Sequence, residues 1–272
     1  RDTGGGTGDD DEADVAYDSN NELSLDSAIS NASSGVTATT LGQFINVGTV
    51  GGTTYTNPDS LSGTASCFVD EWKDQSGNGN DAEQNTPGSQ PQIHDGTVNT
   101  DLITENGKPS IDLSSTSNNS LVSPTFSAIT APFTAVFVSG GMRTSGSGDR
   151  HHWGTSNTYG SHYGDRIHGA YISSGTEIRI LRIADQTLTF ALFNGANSDH
   201  RRNGTSTTGD TGTGGGMDIV YIGASPQGGA SSQSIRMQEW ILWDGEFSSS
   251  NRTGIETNIN SNYLIYQPTD AP

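Results

Sequence analysis

The sequence is short of positive charge, of cysteine and of long apolar runs, and each shortage closes off a class of function. Lysine and arginine number 12 against 31 aspartates and glutamates, and only Lys73 and Lys108 are lysines. A net charge of −19 repels nucleic-acid phosphates, so nucleic acid is not an expected partner. The lone cysteine, Cys67, cannot close an internal disulfide. Within the apolar residues 65–69 it reads as a small buried hydrophobe, and it leaves the redox compartment undecided. No apolar run approaches the roughly 20 residues of a membrane helix, so membrane insertion is not expected, and no signal peptide is visible. The chain opens with Arg1 instead of Met, which reads as a fragment or a processed product.

What is abundant is glycine, 36 of 272 residues, while hydrophobic residues make up only 30 %. Many short strands joined by Gly, Asn and Ser turns fit this balance; long helices do not. The length suits one large all-β domain, or a domain with an arm. Residues 1–14 are Gly-rich and then acidic (Asp9, Asp10, Asp11, Glu12, Asp14). Without an apolar partner they should form a mobile arm, with solvated charge preferred over a calcium site.

Further along, Leu41, Phe44 and Ile45 predict a short helix within residues 39–47. Phe133 to Val138 is apolar on both faces and reads as a central strand. Ile178, Ile180 and Ile183 alternate with Arg179 and Arg182, and Leu188, Phe190 and Leu192 lead into the turn signal Asn194-Gly195. Asn203-Gly204 is a second turn. Met217, Ile219 and Tyr221 alternate, and Ile235, Met237, Glu239, Ile241 and Trp243 form one face of a late strand. After it, Ser248, Ser249 or Ser250 can cap a helix that carries Ile255, Ile259 and Tyr263 on one side. No repeat at solenoid or propeller spacing is present. The Gly-rich residues 212–216 lack the Lys-Ser/Thr of a phosphate loop.

The stretch from Phe68 to Asn85 is the most distinctive. A strand over residues 65–72 should enter a compact turn, Asp74-Gln75-Ser76-Gly77-Asn78-Gly79-Asn80-Asp81. Its glycines tolerate positive φ and its short polar side chains bond their own backbone. This turn resembles the Asp-x-Ser-Gly-Asn-Gly-Asn signature of laminin-G-like jelly rolls in the concanavalin A-like lectin/glucanase superfamily. Four further segments match in order: residues 106–113, 119–122, 132–138 and 238–244. The resemblance covers residues 65–266. With Gln90-Pro91 it is nearest to the catalytic domain of α-L-arabinofuranosidases and to related domains in bacteriophage tail and virion proteins. It implies an all-β concanavalin A-like jelly-roll sandwich of two antiparallel sheets, with an N-terminal arm and a short C-terminal helix. The domain reading is an arm over 1–60, the jelly roll over 61–267 and a tail over 268–272.

Two groups of residues are candidates for ligands. In residues 148–168 Asp, Arg, His and aromatic side chains crowd a Gly-interrupted segment. That mixture suits a sugar, whose C–H face covers an aromatic ring while charged groups take its hydroxyls. Trp153, Tyr159 and Tyr163 would stack on the ligand; Asp149, Arg150, His152 and Asp165 would fix its hydroxyls. The competing reading is a loop whose aromatics plug the sandwich edge. A zinc site among His151, His152, His162 and His168 matches no compact ligand spacing. The second group is Asp74, Ser76, Asn78 and Asn80, which mimics half a calcium loop, although Asn85 stands where the loop's last Glu is needed. A self-bonded turn is the preferred reading there, and calcium is the one candidate cofactor.

Catalysis by a glycosidase needs two facing carboxylates. By order, the arabinofuranosidase nucleophile falls near Trp153-Gly154-Thr155-Ser156 and its general acid near Ile222-Gly223-Ala224-Ser225. Neither segment has a carboxylate. Glu239 stands alone and reads as a buried structural acid. The expectation is a non-catalytic carbohydrate-recognising or adhesive domain of a larger extracellular or virion assembly, a phage tail or capsid appendage. Its expected partners are a glycan or host cell-surface polysaccharide and other copies or subunits. An arabinofuranosidase-like hydrolase and a purely structural virion decoration domain are the alternatives.

Overall fold

The computed structural model describes residues 1, 10–20, 22–61, 63–97, 101–113, 119–140, 150–155, 160–164, 167–171, 176–181, 186–212, 214, 216–224 and 235–266. The chain forms two compact units. The first is Arg1–Val69 with Gln92–Ile111, and the second is Asp70–Pro91 with Asp112–Pro272. The expected division at residue 61 falls inside the first unit, and residues 268–272 lie outside the described residues. In chain order the early strands are β1 (Asp14–Val15), β2 (Ile29–Ser30), β3 (Gly48–Val50), β4 (Thr53–Tyr55), β5 (Cys67–Phe68), β6 (Glu71–Trp72), β7 (Ala82–Glu83), β8 (Gln92–His94), β9 (Thr104–Glu105), β10 (Lys108–Pro109), β11 (Ile111–Asp112) and β12 (Leu121–Val122). The long strands follow: β13 (Phe133–Gly140), β14 (Arg150–Thr155), β15 (Gly160–Gly164), β16 (Ile167–Tyr171), β17 (Ile178–Leu181), β18 (Thr187–Phe193), β19 (Ser198–Arg202), β20 (Thr205–Gly209), β21 (Val220–Ile222) and β22 (Arg236–Trp243).

The first unit is no loose arm. The helix α1 (Leu41–Ile45) forms where expected, with the Thr40 hydroxyl accepting from Gln43 N–H and Asn46 closing the helix at φ 63°. Leu41, Phe44 and Ile45 enter a core with Leu25, Tyr55, Cys67 and Ile93. A side chain at Gly42 would run into the Tyr55 ring, so the helix can pack there only with glycine. Arg1 is buried. Its Nη1 donates to the Phe44 carbonyl at 2.7 Å, its Nη2 pairs with Asp11 at 2.6 Å, and its guanidinium lies 4.4 Å from the Phe44 ring centre. These contacts, with the pairing of β1 and β2, tie down the described part of the acidic start that composition suggested would be mobile. Asn106-Gly107, both at positive φ, turn β9 into β10.

The second unit is an all-β sandwich with one helix against it. One sheet has the order β17–β16–β15–β14–β21–β12–β7–β6, and in the other β20–β19–β18–β13–β22 are successive neighbours. Every named pairing in these runs is antiparallel. β13 is buried along its whole length, as a strand apolar on both faces requires. Its Phe133 and Phe137 side turns to the facing sheet. Val136 and Val138, on the other side, pack with Leu188, Phe190 and Ile259 under the helix α2 (Ser249–Tyr263). The Ser248 hydroxyl caps this helix by accepting from Asn251 N–H at 3.2 Å. Ile255, Ile259 and Tyr263 face the sheet, as their spacing predicts.

Three details differ from the sequence pattern. Residues 65–72 are two separate short strands, β5 and β6, and not one. Between β13 and β22 the register slips at Val138 and Ser139 of β13, which sets Met237 opposite Ser139 and Glu239 opposite Val138. The extra residue, Gln238, ends the simple alternation from Ile235 to Trp243. Near β21 the buried residues are Met217, Val220 and Ile222, not Ile219 and Tyr221. Met217 bridges Ile129 before the strand begins, so the alternation changes phase at Val220.

Candidate functional site

The segment richest in ligand-type residues becomes β14, β15 and β16. The register sets Arg150 opposite Tyr163, and Tyr163 opposite His168. Three positions that carry a cation, a phenol and an imidazole thus form one row across adjacent strands. The row sits where β15 ends at Gly164 and β16 begins at Ile167, whose backbones also pair. Asp149, Tyr159 and Asp165 lie outside the described residues.

Two other candidates belong to the interior. Between His151 and Trp153 the register of β14 against β15 shifts by one residue. The bulge at His152 breaks the strict alternation, so His152 and Trp153 are both buried at 0 % exposure. The His152 ring lies 5.0 Å from Phe137. The Trp153 indole packs edge-on against Phe193 at 5.8 Å and against Trp240 at 6.1 Å. Trp153 therefore plugs the sandwich and is not free to stack on a ligand. Its polar sequence neighbours hid this, because its apolar company comes from β18 and β22.

The two segments aligned with glycosidase carboxylates meet at one end only, because their strands pair antiparallel. Trp153 pairs with Ile222 and Gly154 with Tyr221 on neighbouring strands, and Gly223 N–H donates to the His152 carbonyl at 2.8 Å. Thr155, fully buried, holds the end of β14 in this pairing. Ser225 lies outside the described residues. Glu239 faces the helix side next to Val138, and burial pushes its carboxyl up from the usual range.

The Asp74 turn closes on itself. Ser76 donates to the Asp74 carboxylate through both N–H (2.8 Å) and Oγ (2.8 Å), and Asn80 N–H donates to it at 3.0 Å. Asp74 N–H in turn donates to Asp81 at 2.7 Å, and Lys73 reaches the same carboxylate at 3.2 Å. Asn78 N–H and Nδ2 both donate to the Ser76 hydroxyl. Gly77 and Gly79 take φ of 81° and 74°, which only glycine adopts without strain. The hydrogen bonds from Ser76 hold the Asp74 carboxyl below its usual range, and the one from the Asp74 amide does so for Asp81. Among the described residues no group of three or more His, Cys, Asp or Glu is placed to share a metal ion.

One aromatic surface escaped the sequence reading. Trp243 is 50 % exposed and stacks on Phe247 with centroids 5.2 Å apart and planes 27° apart. Phe247 meets the buried Phe190 edge-on at 6.3 Å. The signal was the end of the strand pattern at Asp244-Gly245, which leaves a tryptophan at the strand terminus instead of its centre.

No protein-family model matches the sequence, and no curated protein matches it. Solved structures do resemble it. Trypanosoma rangeli sialidase in complex with sialic acid gives a TM-score of 0.51 at 12 % identity over 74 % of this chain and 32 % of the sialidase. The same sialidase with 2,3-difluorosialic acid, a covalent intermediate, gives 0.52 at 12 % identity over 73 % and 34 %. The binding domain of Paraclostridial Mosquitocidal Protein 1 gives 0.48 at 16 % identity over 72 % and 51 %. The chain thus spans about a third of the sialidase's length. At these identities the likeness is one of fold, a β-sandwich.

Proposed function

We propose that the chain is a non-catalytic carbohydrate-recognising or adhesive domain of a larger extracellular or virion assembly. The observation that carries this reading is the row Arg150–Tyr163–His168 at one end of three paired strands. A phenol offers a sugar its ring face and its hydroxyl, and a guanidinium offers directional donors to hydroxyl oxygens. Asp149 adjoins this row in sequence, and Asp165 follows Gly164 directly. Asp149, Tyr159 and Asp165 remain proposed ligand contacts on residue type and sequence position alone, and His152 and Trp153 belong to the core. The sandwich itself favours no activity; one protein of similar fold, a sialidase in complex with sialic acid, lends the glycan class some weight.

β14 and β21 are neighbours in one sheet, and kinship with arabinofuranosidase-like domains, including those of phage tails, rests on the order of the sequence motifs alone. The two aligned segments carry no acid residue, so glycoside hydrolysis is not part of the proposal. The test is binding of the purified chain to a glycan array, followed by Arg150→Ala and Tyr163→Ala. Loss of binding by tenfold or more with an unchanged melting temperature is expected. An array without any hit favours a purely structural domain.

A further inference from the structure

We propose that Trp243 and Phe247, with the notch beside them, form a second carbohydrate-contact site that takes one uncharged pyranose ring. The site lies on the helix-covered side of β13, β18 and β22, away from the strands that carry Arg150 and Tyr163. It rests on the carbohydrate reading for its ligand class only; its location rests on different residues.

A half-exposed tryptophan stacked on a neighbouring phenylalanine makes a continuous apolar patch that a partner can cover, and a freely rotating ring makes a poor platform. Trp243 is held. Its ring lies on Phe247, which is anchored in turn on Phe190, itself 3 % exposed. The following turn is fixed as well, because the Thr134 hydroxyl donates to the Gly245 carbonyl at 2.9 Å and Gly245 takes φ 134°. A rigid, half-exposed indole whose under-face is already packed leaves its other surface for the C–H face of a sugar.

Beside Phe247 a notch opens over Thr134, Phe190 and Leu192, rimmed by Asp199, Arg201, Glu246 and Arg252, with about 20 Å³ of free volume. That is room for about one water. It is too small for a sugar ring and sufficient for a hydroxyl or hydroxymethyl group hanging from a ring stacked next door. The rim offers both hydrogen-bond senses. Glu246 is exposed and already accepts from Asn194 at 3.2 Å. Arg252 Nη1 is 3.7 Å from Asp199, and its Nε has no hydrogen-bond partner among the described residues. Around the notch the carboxylates of Asp199 and Glu246 are matched by the guanidiniums of Arg201 and Arg252. With no net charge at the rim and −19 on the whole chain, a sialic or uronic acid gains nothing and an uncharged sugar is preferred.

The experiment measures binding of the full chain to immobilised neutral oligosaccharides (xylo-, manno-, galacto- and arabino-series), with 3′-sialyllactose as the anionic probe. It is done in the Tyr163→Ala background to silence the first site. Residual binding to a neutral sugar is expected there. Adding Trp243→Ala should remove it by tenfold or more, Trp243→Phe should retain most of it, and Arg252→Leu should weaken it three- to tenfold. The Phe and Leu variants decide the matter if Trp243→Ala does not fold. Loss of all binding in Tyr163→Ala alone overturns the second site and leaves the first standing. Residual binding that survives Trp243→Ala, or that prefers sialyllactose, also overturns the second site. Wild-type protein that binds no sugar overturns both readings together.

Discussion

The indole of Trp153 meets the ring of Phe193 edge-on, with centroids 5.8 Å apart and planes at 83°. The contact joins β14 of one sheet to β18 of the other, and Trp240 of β22 closes on the same indole at 6.1 Å. It makes Trp153 a central brace between the two layers.

Truncating that brace leaves a large void that close-packed strands cannot fill. Trp153→Ala should therefore cost about 3–5 kcal/mol, and Trp153→Phe much less. Denaturant melts of the two variants check this. An unchanged midpoint together with lost glycan binding would return Trp153 to the surface.

His200, fully buried on β19, gives the fold an acid-sensitive point. Burial pushes its imidazole down from 6.5 to about 4, with Arg202 adding to the effect; the Ile178 carbonyl, 3.4 Å from Nδ1, opposes it. The folded state holds the ring neutral, whereas the unfolded chain takes up a proton near pH 6.5. Stability is thus complete above about pH 6.5 and declines as pH falls towards 4, by on the order of 3 kcal/mol. Melting temperatures at pH 7.5 and 4.5 measure the decline. It should shrink in His200→Leu, and a flat profile in the wild type would show that the folded ring carries its proton.

What the sequence revealed and what it hid follow from the range of the interactions involved. The turn at Asn203-Gly204, with φ of 47° and 81°, and the Ser248 cap of α2 are local, so local residue types predict them. The doubly apolar β13 announced its central place, because burial on both faces leaves no polar alternation. Local patterning failed at bulges. An extra residue at His152 and another at Gln238 shift the phase of a strand, and nothing in the neighbouring residues marks the shift. It failed again for Trp153 and Trp243. The first follows a polar stretch and is buried by partners about 40 and 87 positions away. The second sits in an apolar strand and emerges at its end. The row of Arg150, Tyr163 and His168 was legible only as a crowded segment; strand register is what lines these positions up.

The Asp74 turn should contribute stability out of proportion to its exposure. Three donors of the turn, two from Ser76 and one from Asn80, converge on one carboxylate. Asp74→Ala should cost about 1 kcal/mol, the net worth of hydrogen bonds whose donors can turn to water. Its lowered pKa means that the folded state holds the charged form more tightly than the unfolded chain does. The contribution is therefore present at neutral pH and is lost as pH falls below the usual carboxylate range. Calcium and chelator should leave the melting temperature unchanged if these donors saturate the carboxylate. A rise with millimolar calcium that is absent in Asp74→Ala would instead assign Asp74, Ser76, Asn78 and Asn80 to a metal.

Arabinoside hydrolysis should stay at background, for a reason that lies in β14 and β21. The two strands pair from Trp153–Ile222 to Thr155–Val220. Residues 153–156 and 222–225, which correspond by order to the arabinofuranosidase nucleophile and acid segments, therefore meet only at Trp153 and Ile222. Hydrolysis with either stereochemical outcome requires two carboxyl groups about 5–10 Å apart across the bond. Here the described positions of both segments carry Trp, Gly, Thr, Ile and Ala. Release of 4-nitrophenol from its α-L-arabinofuranoside by the purified chain is the measurement. Turnover above the buffer rate, abolished by one Asp or Glu substitution, would identify a carboxylate pair elsewhere and make the chain an enzyme. Background turnover in protein that still binds a neutral oligosaccharide would separate recognition from cleavage on this sandwich.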